Sequence, residues 1–172
     1  SWTTLSRFMS MQANANFFAT LRDARAGDPA ATCLESDTGA MYRFADLDRI
    51  SAQYAHALVA LGCQRDDRVA VQVEKSAQAL ALFLACLRAG LSYLPLNTAY
   101  RSSELTHFLS DARPRVFVCD EDVREAMGPL ARSSGVACVE GMDQEGGGSF
   151  ARLAAEQRQT FELVHRAQED IA

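Results

Sequence analysis

Asp66-Asp67-Arg68-Val69-Ala70-Val71-Gln72-Val73, followed by Ser76, the run Ala77-Gln78-Ala79-Leu80-Ala81-Leu82-Phe83-Leu84-Ala85-Cys86-Leu87-Arg88-Ala89, Gly90, and then Leu91-Ser92-Tyr93-Leu94-Pro95-Leu96, is the stretch that decides the architecture. The first segment is β-branched and apolar over the length of a core strand. Ser76 offers a side-chain oxygen to the first free N–H groups of a helix. That helix is apolar nearly all round, so it must be sandwiched between other elements, and Gly90 supplies its stop. Leu91 to Leu96 returns to strand, with Pro95 near the end, where a missing N–H is tolerated. Strand, buried helix and strand in this order predict an α/β fold: a mostly parallel sheet flanked by helices.

The pattern continues on both sides. Upstream, Ala31 to Leu34 and Met41 to Phe44 are short strand-like runs around Glu35-Ser36-Asp37-Thr38-Gly39, which predicts a small β-hairpin. From Asp46, Leu47, Ile50, Tyr54, Leu58 and Leu61 recur at helical spacing, and Gly62 closes the series. Downstream, Ser102 can cap a helix bearing Leu105, Phe108, Leu109 and Ala112, which Pro114 prevents from continuing. Val116 to Cys119 reads as a strand, the next helical stretch as one interrupted at Gly128-Pro129, and Val136 to Val139 as a further strand. Gly141 to Ser149 reads as a polar glycine-rich loop, with Phe150, Leu153 and Ala154 opening a short helix. No repeat of a solenoid period is visible.

Composition narrows the function. The 172 residues are 48% hydrophobic and 23% charged, with a net charge of -5 and no basic stripe, which argues against nucleic acid as a partner. The longest apolar run, Ala77 to Leu87, carries Gln78 and ends at Arg88, short of the ~20 residues of a membrane-spanning helix, so no membrane is expected. The five cysteines include no Cys-x-x-Cys pair, and Cys86, Cys119 and Cys138 lie in apolar runs. Buried thiols in a reducing compartment make a cytoplasmic location the expectation.

Residue patterns that carry chemistry are sparse. Glu145-Gly146-Gly147-Gly148-Ser149 has the glycines of a phosphate-cradling loop but no adjoining Lys, and reads as a flexible surface loop. Glu74-Lys75-Ser76-Ala77 follows the first core strand where a dinucleotide fold would need Gly-x-Gly-x-x-Gly. Asp120-Glu121-Asp122 ends a core strand where open sheets bind ligands, leaving a metal or ribose contact open, although acidic residues also suit a helix start. His56, His107 and His165 form no ligand pair, and no Gly-x-Ser-x-Gly is present to activate a serine.

Arg88-Ala89-Gly90-Leu91-Ser92-Tyr93-Leu94-Pro95-Leu96-Asn97-Thr98-Ala99-Tyr100, running on through Glu104-Leu105 to Asp111-Ala112, resembles a hallmark of the adenylate-forming (AMP-binding) superfamily. Phe44-Ala45-Asp46-Leu47, Gly62 with Asp67-Arg68-Val69-Ala70, and Pro114-Arg115-Val116 agree in order, so the likeness spans most of Asn14 to Asp120. Asn97-Thr98-Ala99-Tyr100 departs from the Asp-Pro and Tyr-Pro pattern of peptide-synthetase adenylation domains. Together with Asn14-Ala15-Asn16-Phe17-Phe18 and Glu74-Lys75-Ser76, it is similar instead to acyl-CoA synthetases of the malonyl-CoA synthetase branch.

The resemblance implies a ligase that uses ATP and Mg²⁺ to adenylate a small carboxylate, malonate or a similar dicarboxylate, and passes the acyl group to CoA. The family's Ser/Thr/Gly-rich loop ending in Lys, its later acidic motifs and its C-terminal Lys have no counterpart in this sequence. No catalytic, cofactor-binding or metal residue is therefore carried over, and Gly90, Pro95 and Tyr100 read as scaffold. Residues 1–13 are expected to be an extension and 14–172 the amino-terminal portion of the large domain, ending as Glu169-Asp170-Ile171-Ala172 lead toward the nucleotide loop. Such a portion is expected to be inactive alone and to bind none of these cofactors. Apolar surface that the remainder would cover is expected to promote self-association or to serve an interaction module.

Overall fold

The computed structural model describes residues 32–36 and 39–161. Two short strands, β1 (Thr32–Glu35) and β2 (Met41–Arg43), pair antiparallel as the expected hairpin. Asp37 and Thr38 of its loop lie outside the described residues, as do Asn14–Phe18, His165 and the Glu169–Ala172 lead-in. Helix α1 (Phe44–Ala60) begins two residues ahead of Asp46, whose carboxylate accepts the Arg43 N–H at 2.9 Å and so satisfies a donor at the helix start.

Strand β3 (Arg68–Gln72), helix α2 (Ala77–Ala89) and strand β4 (Ser92–Pro95) form the unit expected from the opening stretch. The Ser76 hydroxyl accepts the Ala79 N–H at 3.0 Å. Gly90 adopts φ 70°, a left-handed conformation that lets the Leu91 N–H return to the Cys86 carbonyl at 2.8 Å. β4 is an edge strand. Leu96 donates to Val71, so the Pro95 nitrogen, one residue earlier, faces the open side.

Helix α3 (Ser102–Ala112) corrects one expectation: its cap is Arg101 and not Ser102. The Glu104 carboxylate accepts the Arg101 N–H at 2.7 Å, a charge-assisted bond that a serine hydroxyl does not match. Strand β5 (Val116–Asp120) leads through a 3₁₀ turn (Glu121–Val123) into helix α4 (Arg124–Ser133), which runs through Pro129 without a break. Gly128 and Ala131 are buried while Pro129 is exposed, so packing on the sheet outweighs one missing N–H.

Strand β6 (Cys138–Met142) starts two residues later than expected, because Val136 completes the end of α4 with its N–H on the Ala131 carbonyl. It also absorbs Gly141, assigned to the loop from sequence. Helix α5 (Ser149–Ala155) is the short helix foreseen at Phe150.

The four-stranded sheet has the order β4-β3-β5-β6, all parallel. Alternating side chains divide two cores. Val69, Val71, Val116 and Val118 face α1, α2 and α5, while Ala70, Phe117 and Cys119 face Leu105 and Leu109 of α3 and Ala131 of α4. The chain thus crosses on one face between β3 and β4 and on the other for the two later crossovers, the doubly wound arrangement. No described helix is long and apolar enough to cross a membrane.

Candidate functional site

Because β3 hands the chain to one face and β5 to the other, their carboxyl ends bound the crevice where open parallel sheets take ligands. On the β3 side, the buried Gln72 side chain donates to the carbonyls of Asn97 (3.0 Å) and Tyr100 (3.3 Å). Asn97 Oδ1 accepts the Ala99 N–H at 2.9 Å, and Tyr100 N–H returns to Asn97 at 3.0 Å. The Asn97–Tyr100 segment is therefore a fixed turn set by one strand glutamine. Tyr100 packs against Phe108, so its place is explained by packing.

On the β5 side, Asp120 accepts the Asp122 N–H and opens the 3₁₀ turn. Glu121 is a hub: its carboxylate takes the Ser149 N–H at 2.9 Å, Arg124 Nε at 3.2 Å and Arg152 Nη2 at 3.7 Å. Asp122 is exposed. The three acidic residues thus serve the turn and the β6 connection, and no group of three His, Cys, Asp or Glu able to hold a metal occurs among the described residues.

The glycine-rich segment is tied down rather than a free surface loop. Asp143 Oδ1 accepts the N–H groups of Glu145 (2.9 Å) and Gly147 (2.7 Å), and Asp143 N–H donates to the Gly147 carbonyl. Ser149 Oγ accepts the Gly141 N–H at 2.8 Å and donates to Glu140. Gly148 has φ 102°, and a Cβ there would strike the Gly141 carbonyl. A phosphate cradle needs outward-facing amides, and here those of Glu145, Gly147 and Ser149 already point at carboxylates that would repel an anion. These residues do not fit a triphosphate.

Beside this loop, Tyr54 donates to Gln78 Oε1 at 2.8 Å and Gln78 Nε2 donates to Tyr42 at 3.3 Å. Burial, reinforced by Tyr42 and Asp143, raises the Tyr54 phenol well above its ordinary range, so it is a fixed donor. Burial likewise pushes Cys63 up to about 11 and Cys119 up to about 12, and Cys86 is raised further by its complete burial. These thiols are inert core groups. His107 is exposed beside Asp111, and His56 packs edge-on to Phe161. Sequence reasoning missed Glu121 as a hub and the paired role of Gln72. The available signal was a polar residue at the carboxyl end of each buried strand.

Comparison with known proteins supplies what local chemistry does not. Residues 21–172 match the family described as AMP-binding enzyme. The fold superposes on apo MatB from Rhodopseudomonas palustris with a TM-score of 0.82 and 42% identity, over 90% of this chain and 30% of that one. The ATP-bound form of MatB gives 0.83 and 41%, over 91% of this chain and 31% of that one. Malpinin synthetase of Mortierella alpina is 40% identical over 88 residues, 51% of this chain and 1% of the synthetase. The mitochondrial acyl-coenzyme A synthetase ACSM2 of Rattus norvegicus is 32% identical over 91 residues, 52% of this chain and 16% of the enzyme. This chain therefore spans a third or less of each of these proteins, and it belongs to the AMP-binding enzyme family of adenylate-forming enzymes.

Proposed function

We propose that this chain is the amino-terminal scaffold of an ATP-dependent acid–CoA ligase that adenylates malonate or a similar small dicarboxylate and transfers it to CoA. The observation that carries the reading is the 42% identity to MatB sustained over 90% of the chain. The Asn97–Tyr100 turn held by Gln72 supports it, since that turn is where the sequence departs from the peptide-synthetase pattern. ATP, Mg²⁺ and CoA are the cofactors of the whole enzyme. The inward-turned amides at 143–149 leave triphosphate binding to other parts of it, and the scaffold alone is inactive.

The test is carboxylate-dependent exchange of pyrophosphate into ATP by the full-length protein, across malonate, methylmalonate, acetate, benzoate and a panel of amino acids. The proposal expects exchange with malonate or methylmalonate at least about tenfold above the monocarboxylates. Exchange driven by an amino acid and not by malonate would replace it with a peptide-synthetase activity.

A further inference from the structure

Arg88 is the largest fully buried side chain among the described residues, 2% exposed in the last turn of α2. Its Nη1 donates to the Asp48 carbonyl at 2.7 Å and to Ser51 Oγ at 3.0 Å, and its Nη2 lies 3.2 Å from the Asp48 carboxylate. Taking a guanidinium out of water carries a desolvation penalty before its partners are counted, whereas an apolar side chain could fill the α1–α2 interface without it. What the guanidinium adds is reach. Nη2 also donates to the carbonyl of Phe161 at 3.2 Å, 73 residues along the chain.

That carbonyl belongs to an irregular segment that leaves α5, and α1 grips the same segment twice more. Gln53 Nε2 donates to the Gln157 carbonyl at 3.4 Å, and the His56 ring nitrogen Nε2 meets the Thr160 carbonyl at 2.7 Å. The His56 and Phe161 rings pack edge-on with centroids 4.6 Å apart. Three side chains from two helices thus hold three carbonyls of a five-residue strap that belongs to no helix or strand.

We propose that Arg88 is a positioning residue: with Gln53 and His56 it latches residues 157–161 onto the helix layer, so that the main chain at Phe161 is held at a fixed point. Resting on the ligase reading, Arg88 then acts on adenylation through the downstream chain, without touching a ligand. The strap carries its own reporter, the exposed Arg158. Trypsin must extend several residues around its cleavage site, so cutting after Arg158 requires the latch to open, and its rate follows the open population.

In the full-length protein, tryptic cleavage after Arg158 is timed by mass spectrometry alongside malonate-dependent pyrophosphate exchange. Loss of the charge-assisted bond to the Phe161 carbonyl in Arg88→Gln is expected to raise cleavage roughly tenfold, and loss of the single ring contact to the Thr160 carbonyl in His56→Ala roughly fivefold. KM for ATP should rise several-fold in both, with the thermal midpoint of His56→Ala near that of the parent. If Arg88→Gln does not fold, His56→Ala and Gln53→Ala decide. Unchanged cleavage in the folded variants overturns the latch, and raised cleavage with an unchanged KM for ATP overturns its positioning role. Parent protein that exchanges with no carboxylate, while cleavage rises as expected, overturns the ligase reading and leaves the latch standing.

Discussion

Residues 66–96, which run strand–helix–strand, and residues 120–155, which run from the end of β5 through α4 and β6 to α5, build the same sheet, yet they are held by different physics. In the first, apolar side chains do most of the work: α2 is buried along nearly its whole length, with Gln78 and Arg88 the polar exceptions, and one serine and one glycine mark its ends. In the second, folding depends on Asp143, Glu121 and Ser149, whose side chains satisfy the backbone of a glycine-rich connection. Packing tolerates local misjudgement because many contacts share the load. A polar connection depends on a few bonds, and each is felt when it is lost.

The sharpest contrast comes from substitution. Leu82→Ala, at a fully buried α2 position, should cost about 3 kcal/mol in chemical denaturation, through lost transfer energy and a residual cavity. Gly148→Ala should cost about 2 kcal/mol or more, since it combines a left-handed φ with a clash on the Gly141 carbonyl. Glu121→Gln should cost about 1–2 kcal/mol by weakening the bonds to Ser149, Arg124 and Arg152 together. Ser76→Ala should cost about 1 kcal/mol as a lost helix cap. If Glu121→Gln proves neutral while Leu82→Ala behaves as stated, the 120–155 connection is held by packing and the distinction fails.

The smallest effect is a pH dependence. Burial raises the Cys63 thiol from about 9 to about 11, so between these values the folded chain keeps a proton that the unfolded chain releases. Its contribution is fully present below about pH 9 and declines as the pH rises toward 11. The thermal midpoint should therefore fall over that window, and less steeply in Cys63→Ala.

Legibility in the sequence follows the same division. The βαβ unit, the two later crossovers and the short α5 were readable because Val69, Val71, Val116 and Val118 alternate with the period of a strand and Leu80 and Leu84 recur with that of a helix. Local signals failed where a competing interaction intervened. Glu104 displaced Ser102 as the determinant of the α3 start, sheet packing carried α4 through Pro129, and Val136 was taken by the end of α4 before β6 could begin. The candidate site was the least legible part. Glycines at 146–148 advertise a flexible or anion-binding loop, and only the fold shows Asp143 and Glu121 occupying the place an anion would need.

Titration calorimetry of Mg-ATP into this 172-residue chain, with circular dichroism confirming that it is folded, tests the central claim that this portion is scaffold whose loop amides are already satisfied. The account predicts no binding heat into the millimolar range. Micromolar affinity that Glu121→Gln or Gly147→Pro alters would contradict it and place nucleotide recognition within the 143–149 connection.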